Sequence, residues 1–236
     1  MPKTVLFLGA TGGCALSTLR RSLAAGHTCI ALCRTPSKLT SLLAPETTTT
    51  TTATTATATP GSPASFPNLH IIQGDAHDES ALVRCLTAQP TVDTVVFSIG
   101  AYPTLKGMSD PHVCEEGMRV LLSALRRCRE EEAAAAAAAG PAAPRPRIVA
   151  VSTTGISSHA RDIPLAMVLP YRFVLATAHR DKKAMEDLLI RSREGEDEHG
   201  GWTLIRGSLY TNGPAEGREI RVGVEDPSGG RGEVDL

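Results

Sequence analysis

Gly9, Gly12 and Gly13 follow the apolar run Val5–Leu8 with no polar linker before them. In Gly9-Ala-Thr-Gly12-Gly13-Cys-Ala15 each small residue has its own use. Gly9 permits a tight turn, Gly12 lets backbone amides come close to an anion, and Ala15 lets a following helix pack against the strand. Amides gathered at a helix N-terminus bind phosphate, so Gly9, Thr11, Gly12, Gly13 and Cys14 form a candidate pyrophosphate cradle. The spacing G-x-x-G-x-x-A departs from G-x-G-x-x-G, and a glycine pattern alone also fits a structural turn.

A second set of polar residues recurs after apolar runs. Arg34 follows Thr28–Cys33, with Lys38 one helical turn later. A carboxylate there would bond a ribose hydroxyl. A guanidinium instead suits a 2′-phosphate, which selects NADPH/NADP over NADH, unless the pair is simply solvated. Asp75 and Ala76 follow Leu69–Gln73. The Asp75 carboxylate can take the amino group of an adenine or cap the next helix, a task for which Asp78 is better placed. Ser98, Ile99 and Gly100 follow Thr94–Phe97 and leave room for the sugars of a dinucleotide. Ser152, Thr153 and Thr154 end Ile148–Val151, where their hydroxyls either orient a ligand or satisfy local backbone groups.

These residues need a scaffold that brings strand ends together. Lys3–Leu8 reads as a doubly buried strand, and Gly12–Ala25 as a helix with Leu16, Leu19 and Leu23 on one face, stopped at Gly26. Strands are expected again at Thr28–Cys33, Leu69–Gln73, Thr94–Ser98, Ile148–Ser152 and Trp202–Arg206, with a short one at Glu219–Val224. Helices are expected near Ala81–Ala88, over Pro111–Glu130 and over Tyr171–Arg191. Strands alternating with helices predict an α/β Rossmann-like fold, a doubly wound parallel sheet in a single domain over 1–236. Low-complexity stretches at 46–67 and 131–146 read as loop insertions, although seven alanines at 133–139 favour helix. The "SREGEDEHGG" stretch reads as a solvated loop.

Composition excludes several classes. A formal net charge of −1 leaves no basic field for nucleic acid, and 3% aromatic residues leave no base-stacking platform. Val5–Leu8 is too short to cross a bilayer, so no membrane partner is expected and a cytoplasmic location is. The six cysteines form no CxxC and no zinc spacing, so we expect buried reduced thiols and no metal.

"GATGGCA", "ALCR", "GDAHD", "VVFSIGA", "VSTTG" and "WTLIRG" occur in the order found in atypical short-chain dehydrogenases. The chain resembles their NAD(P)H-binding, NmrA-like branch and is similar to the flavin/biliverdin reductases, over about 1–213 without the insertions. That resemblance implies a Rossmann fold and NADPH. It also implies a hydroxyl near the nicotinamide, matched by Thr153 with Ser152 adjacent, and a nearby histidine, matched by His179. Short-chain dehydrogenases usually carry Tyr-x-x-x-Lys. Lys182 stands at the lysine position, or is a solvated helix residue, but residue 178 is alanine and Tyr171 lies eleven positions from Lys182. The family pattern continues with a strand–helix section on the substrate side. Residues 208–236 therefore read as a partial segment, leaving that side open, completed by a partner or truncated.

The expectation is an NADPH-dependent oxidoreductase passing hydride to a small planar or conjugated acceptor: a flavin, quinone, tetrapyrrole or specialised metabolite. Such acceptors can take a proton from solvent, so the missing tyrosine is not fatal. The alternative is a non-catalytic NADP(H)-sensing regulator with a protein partner. A homodimer fits either reading.

Overall fold

The computed structural model describes residues 1–44, 66–88, 90–101, 103–104, 107–136, 145–157, 165, 168, 175–195, 199–207, 222–225 and 231–234. Most of the 46–67 stretch, Tyr171–Val174 and 208–221 lie outside them.

The apolar runs become β1 (Thr4–Leu8), β2 (Thr28–Cys33), β3 (Leu69–Gln73), β4 (Thr94–Phe97), β7 (Arg147–Thr153) and β8 (Trp202–Gly207). These pair in parallel as one six-stranded sheet of order β3-β2-β1-β4-β7-β8. Chain direction across the sheet reverses between β1 and β4, the place where open sheets of this kind bind ligands beyond their carboxyl ends. All five residues of β1 are buried, as expected of a central strand covered on both faces.

Helices α1 (Gly13–Ala24) and α2 (Pro36–Leu43) cover one face; α3 (Glu79–Leu86), α4 (Val113–Ala136) and α5 (Ala176–Gly195) cover the other. The first core joins Val5, Phe7 and Cys29 to Leu19 and Leu39. The second joins Leu6, Leu8 and Phe97 to Leu82, Met118, Leu121, Met185 and Leu189. Alternation along β1 sends successive side chains into opposite cores.

Local chemistry sets the ends of these helices. α1 closes on Gly26 at φ +77, where Gly26 N bonds Leu23 O and His27 N bonds Ser22 O, the paired bonds of a glycine-ended helix. Asp78 accepts Ser80 N at 2.9 Å and starts α3, as its position suggested. α2 has no counterpart among the expected helices. It has eight residues, starts with Pro36 and buries only Leu39 and Leu43, too little periodicity to stand out. α4 runs through the first alanines to Ala136.

Three differences from the sequence expectation concern the later chain. α5 starts at Ala176 within the described residues and continues to Gly195. His199, expected in a solvated loop, is 7% exposed: its Nδ1 accepts Gly201 N, so Nε2 carries the proton facing Ser192 Oγ at 3.0 Å. Two small antiparallel pairs are present, β5 (Pro103–Thr104) with β6 (Gly107–Met108), and β9 (Val222–Glu225) with β10 (Arg231–Val234); β9 overlaps the short strand expected at Glu219–Val224, and the other three strands were not expected.

Candidate functional site

The turn after β1 is built around Gly9. Its φ is +83, and a Cβ there would lie 2.4 Å from Ser98 O, so only glycine lets this turn sit against the end of β4. Gly12 N donates to Gly9 O at 2.9 Å, and Leu16 N to Gly12 O at 2.8 Å. Gly12 caps α1 without a side-chain bond, and the first turn of α1 holds no acid. Among the described residues the amides of Gly13, Cys14 and Ala15 have no protein partner. Nothing lies within 4 Å of a Cβ on Gly13, which leaves the approach open. This cradle suits a pyrophosphate, whose charge would meet free N–H groups and the positive end of the helix.

Arg34 and Lys38 lie beyond β2, on the neighbouring strand end. Both are exposed, and neither has a side-chain partner among the described residues. Asp75, beyond β3, folds back on its own loop: its Oδ1 accepts His77 N at 3.0 Å. Its second oxygen, Oδ2, has no partner among the described residues. Ala76 packs against the second core.

The ends of β4 and β7 carry the remaining candidates. Ser98 N completes the pairing with Leu8 O at 2.9 Å, and Gly100 is exposed. Ser152 is 3% exposed, yet its Oγ has no partner, and neither has the buried Thr154 Oγ1. Buried hydroxyls are normally bonded. Two hydroxyls without a partner among the described residues are free to bond a ligand at this strand end, and their chemistry fits a nicotinamide dinucleotide. Thr153 is on the opposite face of β7 from Ser152, and its Oγ1 donates to Thr154 O at 3.3 Å.

Lys182 is not a solvated helix residue. Its Nζ donates to Ile99 O at 2.9 Å and to Val151 O at 2.8 Å. Ile99 O also accepts Cys114 Sγ at 3.3 Å. Burial pushes the Cys114 thiol up to about 12, with the Lys182 charge pulling the other way. It therefore stays a thiol at neutral pH and acts as a donor, not a nucleophile. Gly117 allows this closeness, because a Cβ there would press on Ile99 Cδ1 at 3.1 Å and Phe97 Cζ at 3.3 Å.

Asp181 was missed by sequence reading. Buried at 5% exposure, it accepts Cys114 N at 3.0 Å and Glu115 N at 2.8 Å. A carboxylate on α5 thus caps the first turn of α4. Its partners stand 66 and 67 positions away, so no local pattern could have revealed it. Gly100, Ala101, Met108, Asp110, Cys114 and Lys182, with parts of α5, enclose a cavity of about 70 Å³. Ala178 lines it at the position that the Tyr-x-x-x-Lys pattern gives to tyrosine. His179 stands next to Ala178 on α5 but is not part of that wall.

Among the described residues no group of three or more His, Cys, Asp or Glu could hold a metal ion, and no helix is long and apolar enough to cross a membrane. The family described as NAD(P)H-binding matches residues 50–235. That match starts after the glycine turn and Arg34, whose assignments rest on geometry and chemistry. The chain is 33% identical to "Reductase pytE" of Aspergillus terreus, over 94% of this chain and 83% of that protein. It is 32% identical to "Oxidase pynE" of Aspergillus niger, over 96% of this chain and 86% of that protein. Among solved structures, a short-chain dehydrogenase from Streptomyces avermitilis matches with a TM-score of 0.53 and 19% identity, covering 89% of this chain and 66% of that one.

Proposed function

Since the chain belongs to the NAD(P)H-binding family of atypical short-chain dehydrogenases and is an NAD(P)H-dependent oxidoreductase, we propose that it uses NADPH to reduce a small planar or conjugated acceptor. The observation that carries the cofactor choice is Arg34, exposed at the end of β2 with no partner among the described residues, and Lys38 one turn on. There a guanidinium would meet the 2′-phosphate, which NADH lacks.

Bound NADPH would supply the hydride. The chain's own part is to hold and orient. Gly9, Thr11, Gly12, Gly13 and Cys14 would take the pyrophosphate, Asp75 the adenine, and Ser98 to Gly100 the sugars. Ser152 and Thr154 would hold the nicotinamide side through hydroxyls that otherwise have no partner. With alanine at 178, no side chain there donates a proton. That favours acceptors whose reduced form is protonated by solvent, such as flavins, quinones and conjugated carbonyls. One relative is named a reductase and another an oxidase, so assays belong in both directions.

Two measurements test this. Arg34→Ala should weaken NADPH by about 10- to 100-fold, the value of a charged hydrogen bond or two, and NADH by less than about threefold. Equal weakening removes the assignment. NADPH consumption is then followed with a panel of flavins, quinones and conjugated carbonyls. Binding without turnover of any of them would favour the second reading, a cytoplasmic NADP(H) sensor, which Ala178 also suits. A sensor's affinity for a protein partner must change with the NADP+/NADPH ratio.

A further inference from the structure

The bridge made by Lys182 calls for a role of its own. β4 and β7 pair residue by residue from Thr94–Arg147 to Phe97–Ala150, and there the ladder stops. Past it no further rung joins β4 and β7 among the described residues, and Lys182 lines the cavity together with Gly100 and Cys114. Two main-chain carbonyls lie past this last rung, Ile99 O beyond the end of β4 and Val151 O on β7. One ammonium joins them, at 2.9 Å and 2.8 Å. Two of its three protons are thereby committed inside the protein. The bridge is itself held: Asp181, the preceding residue on α5, is fastened to two amides of α4, and Cys114 donates to the same Ile99 carbonyl. On β7 the next residue after Val151 is Ser152, with its buried and unpartnered Oγ.

We propose that Lys182 is a positioning residue: by tying Ile99 O to Val151 O it fixes the width of the crevice between the β4 and β7 ends, and with it the placement of Ser152 against the ligand. The residue acts through two backbone carbonyls and needs no tyrosine partner. It explains why a lysine is present at 182 where residue 178 is alanine. The idea rests on the nicotinamide-site reading above.

Lys182→Met keeps the length of the side chain and removes the bridge; Lys182→Arg offers a planar fork able to span both carbonyls. Three readouts are needed: the NADPH dissociation constant, amide exchange at 99–101 and 152–154, and kcat and KM with whichever acceptor is turned over. Lys182→Met should leave NADPH affinity within about threefold, because phosphates are held elsewhere, and speed exchange in both segments by at least about tenfold. It should lower kcat by about tenfold or more without changing the shape of its pH profile. Lys182→Arg should recover most of each loss. Wild-type exchange rates in Lys182→Met, or failure of arginine to recover anything, would overturn the proposal. So would loss of one limb of the pH profile, which would make Lys182 a proton donor. If Lys182→Met does not fold, Lys182→Gln, with one amide group to reach one carbonyl, replaces it under the same criteria. A wild-type protein that turns over no acceptor sinks the functional reading alone, since the exchange comparison still decides the bridge.

Discussion

At the scale of single residues, two glycines four positions apart do different things. Gly9 sits at φ +83 with Ser98 O 2.4 Å from where a Cβ would be, whereas nothing lies within 4 Å of one on Gly13. Side chains cost about 1–2 kcal/mol in the left-handed region even without a clash, and the Ser98 carbonyl cannot swing aside as a flexible side chain would. Gly9→Ala should therefore cost at least about 2 kcal/mol and lower the melting temperature by about 4–8 °C. Gly13→Ala, at the start of a helix, should hold or gain up to about 1 kcal/mol. Thermal melts of the two variants side by side check this. Equal melting points would mean that the turn after β1 does not press against Ser98 O at the end of β4.

At the scale of elements, α5 is the piece that secures the ligand side. It caps α4 through Asp181, bridges β4 and β7 through Lys182, and reaches β8 through Glu186. Glu186 is 1% exposed, and its two carboxylate oxygens accept Arg206 Nε at 2.9 Å and Nη2 at 2.6 Å. Removing one member of a buried pair strands the other charge, which costs about 3–5 kcal/mol, while replacing both by apolar groups is often mild. Arg206→Met should thus be far more destabilising than the double variant Glu186→Leu/Arg206→Met, as urea unfolding would record. A double variant as unstable as the single one would contradict the paired-charge account. None of these three tasks of α5 was legible in its sequence. The parallel sheet was, because its strands are short apolar runs bounded by glycine or polar residues, as in Val5–Leu8 and Thr28–Cys33. The cradle was too, since its glycines are adjacent in the chain. Asp181, Lys182 and Glu186 owe their roles to partners 20 to 83 residues away, and their spacing on the helix looks like an ordinary charged face. α2 escaped for a different reason: two buried leucines in eight residues carry almost no period.

At the scale of the whole molecule, the two edges of the sheet are finished differently. Along the amino ends of the strands, polar groups are paired across the fold. Thr28 N bonds Lys3 O, Cys29 N bonds Asn68 O, Asp93 N bonds Thr4 O, Arg147 N bonds Asp93 O and Ile148 N bonds Gly201 O. The Asp93 carboxylate takes Thr4 N at 2.7 Å, and Asn68 Nδ2 gives to His27 O at 2.6 Å. Along the carboxyl ends lie groups with no partner among the described residues: the first amides of α1, Arg34 and Lys38, and the hydroxyls of Ser152 and Thr154. On the amino edge the buried Trp202 Nε1 is also without a partner among the described residues, but most of the unpaired donors lie on the carboxyl edge, and that is where a ligand gains most by pairing them. Amide exchange with and without NADPH reads this directly. Protection should appear in segments far apart in sequence, 9–16, 34–38, 75–76, 98–101 and 152–154, and at 100 times the dissociation constant it can approach about 100-fold. Residues 26–29, 66–69, 91–94 and 199–201 should stay as they were. Protection confined to 9–16 would reduce the site to a phosphate cradle. Protection along the amino edge would place the ligand on the wrong side of the sheet.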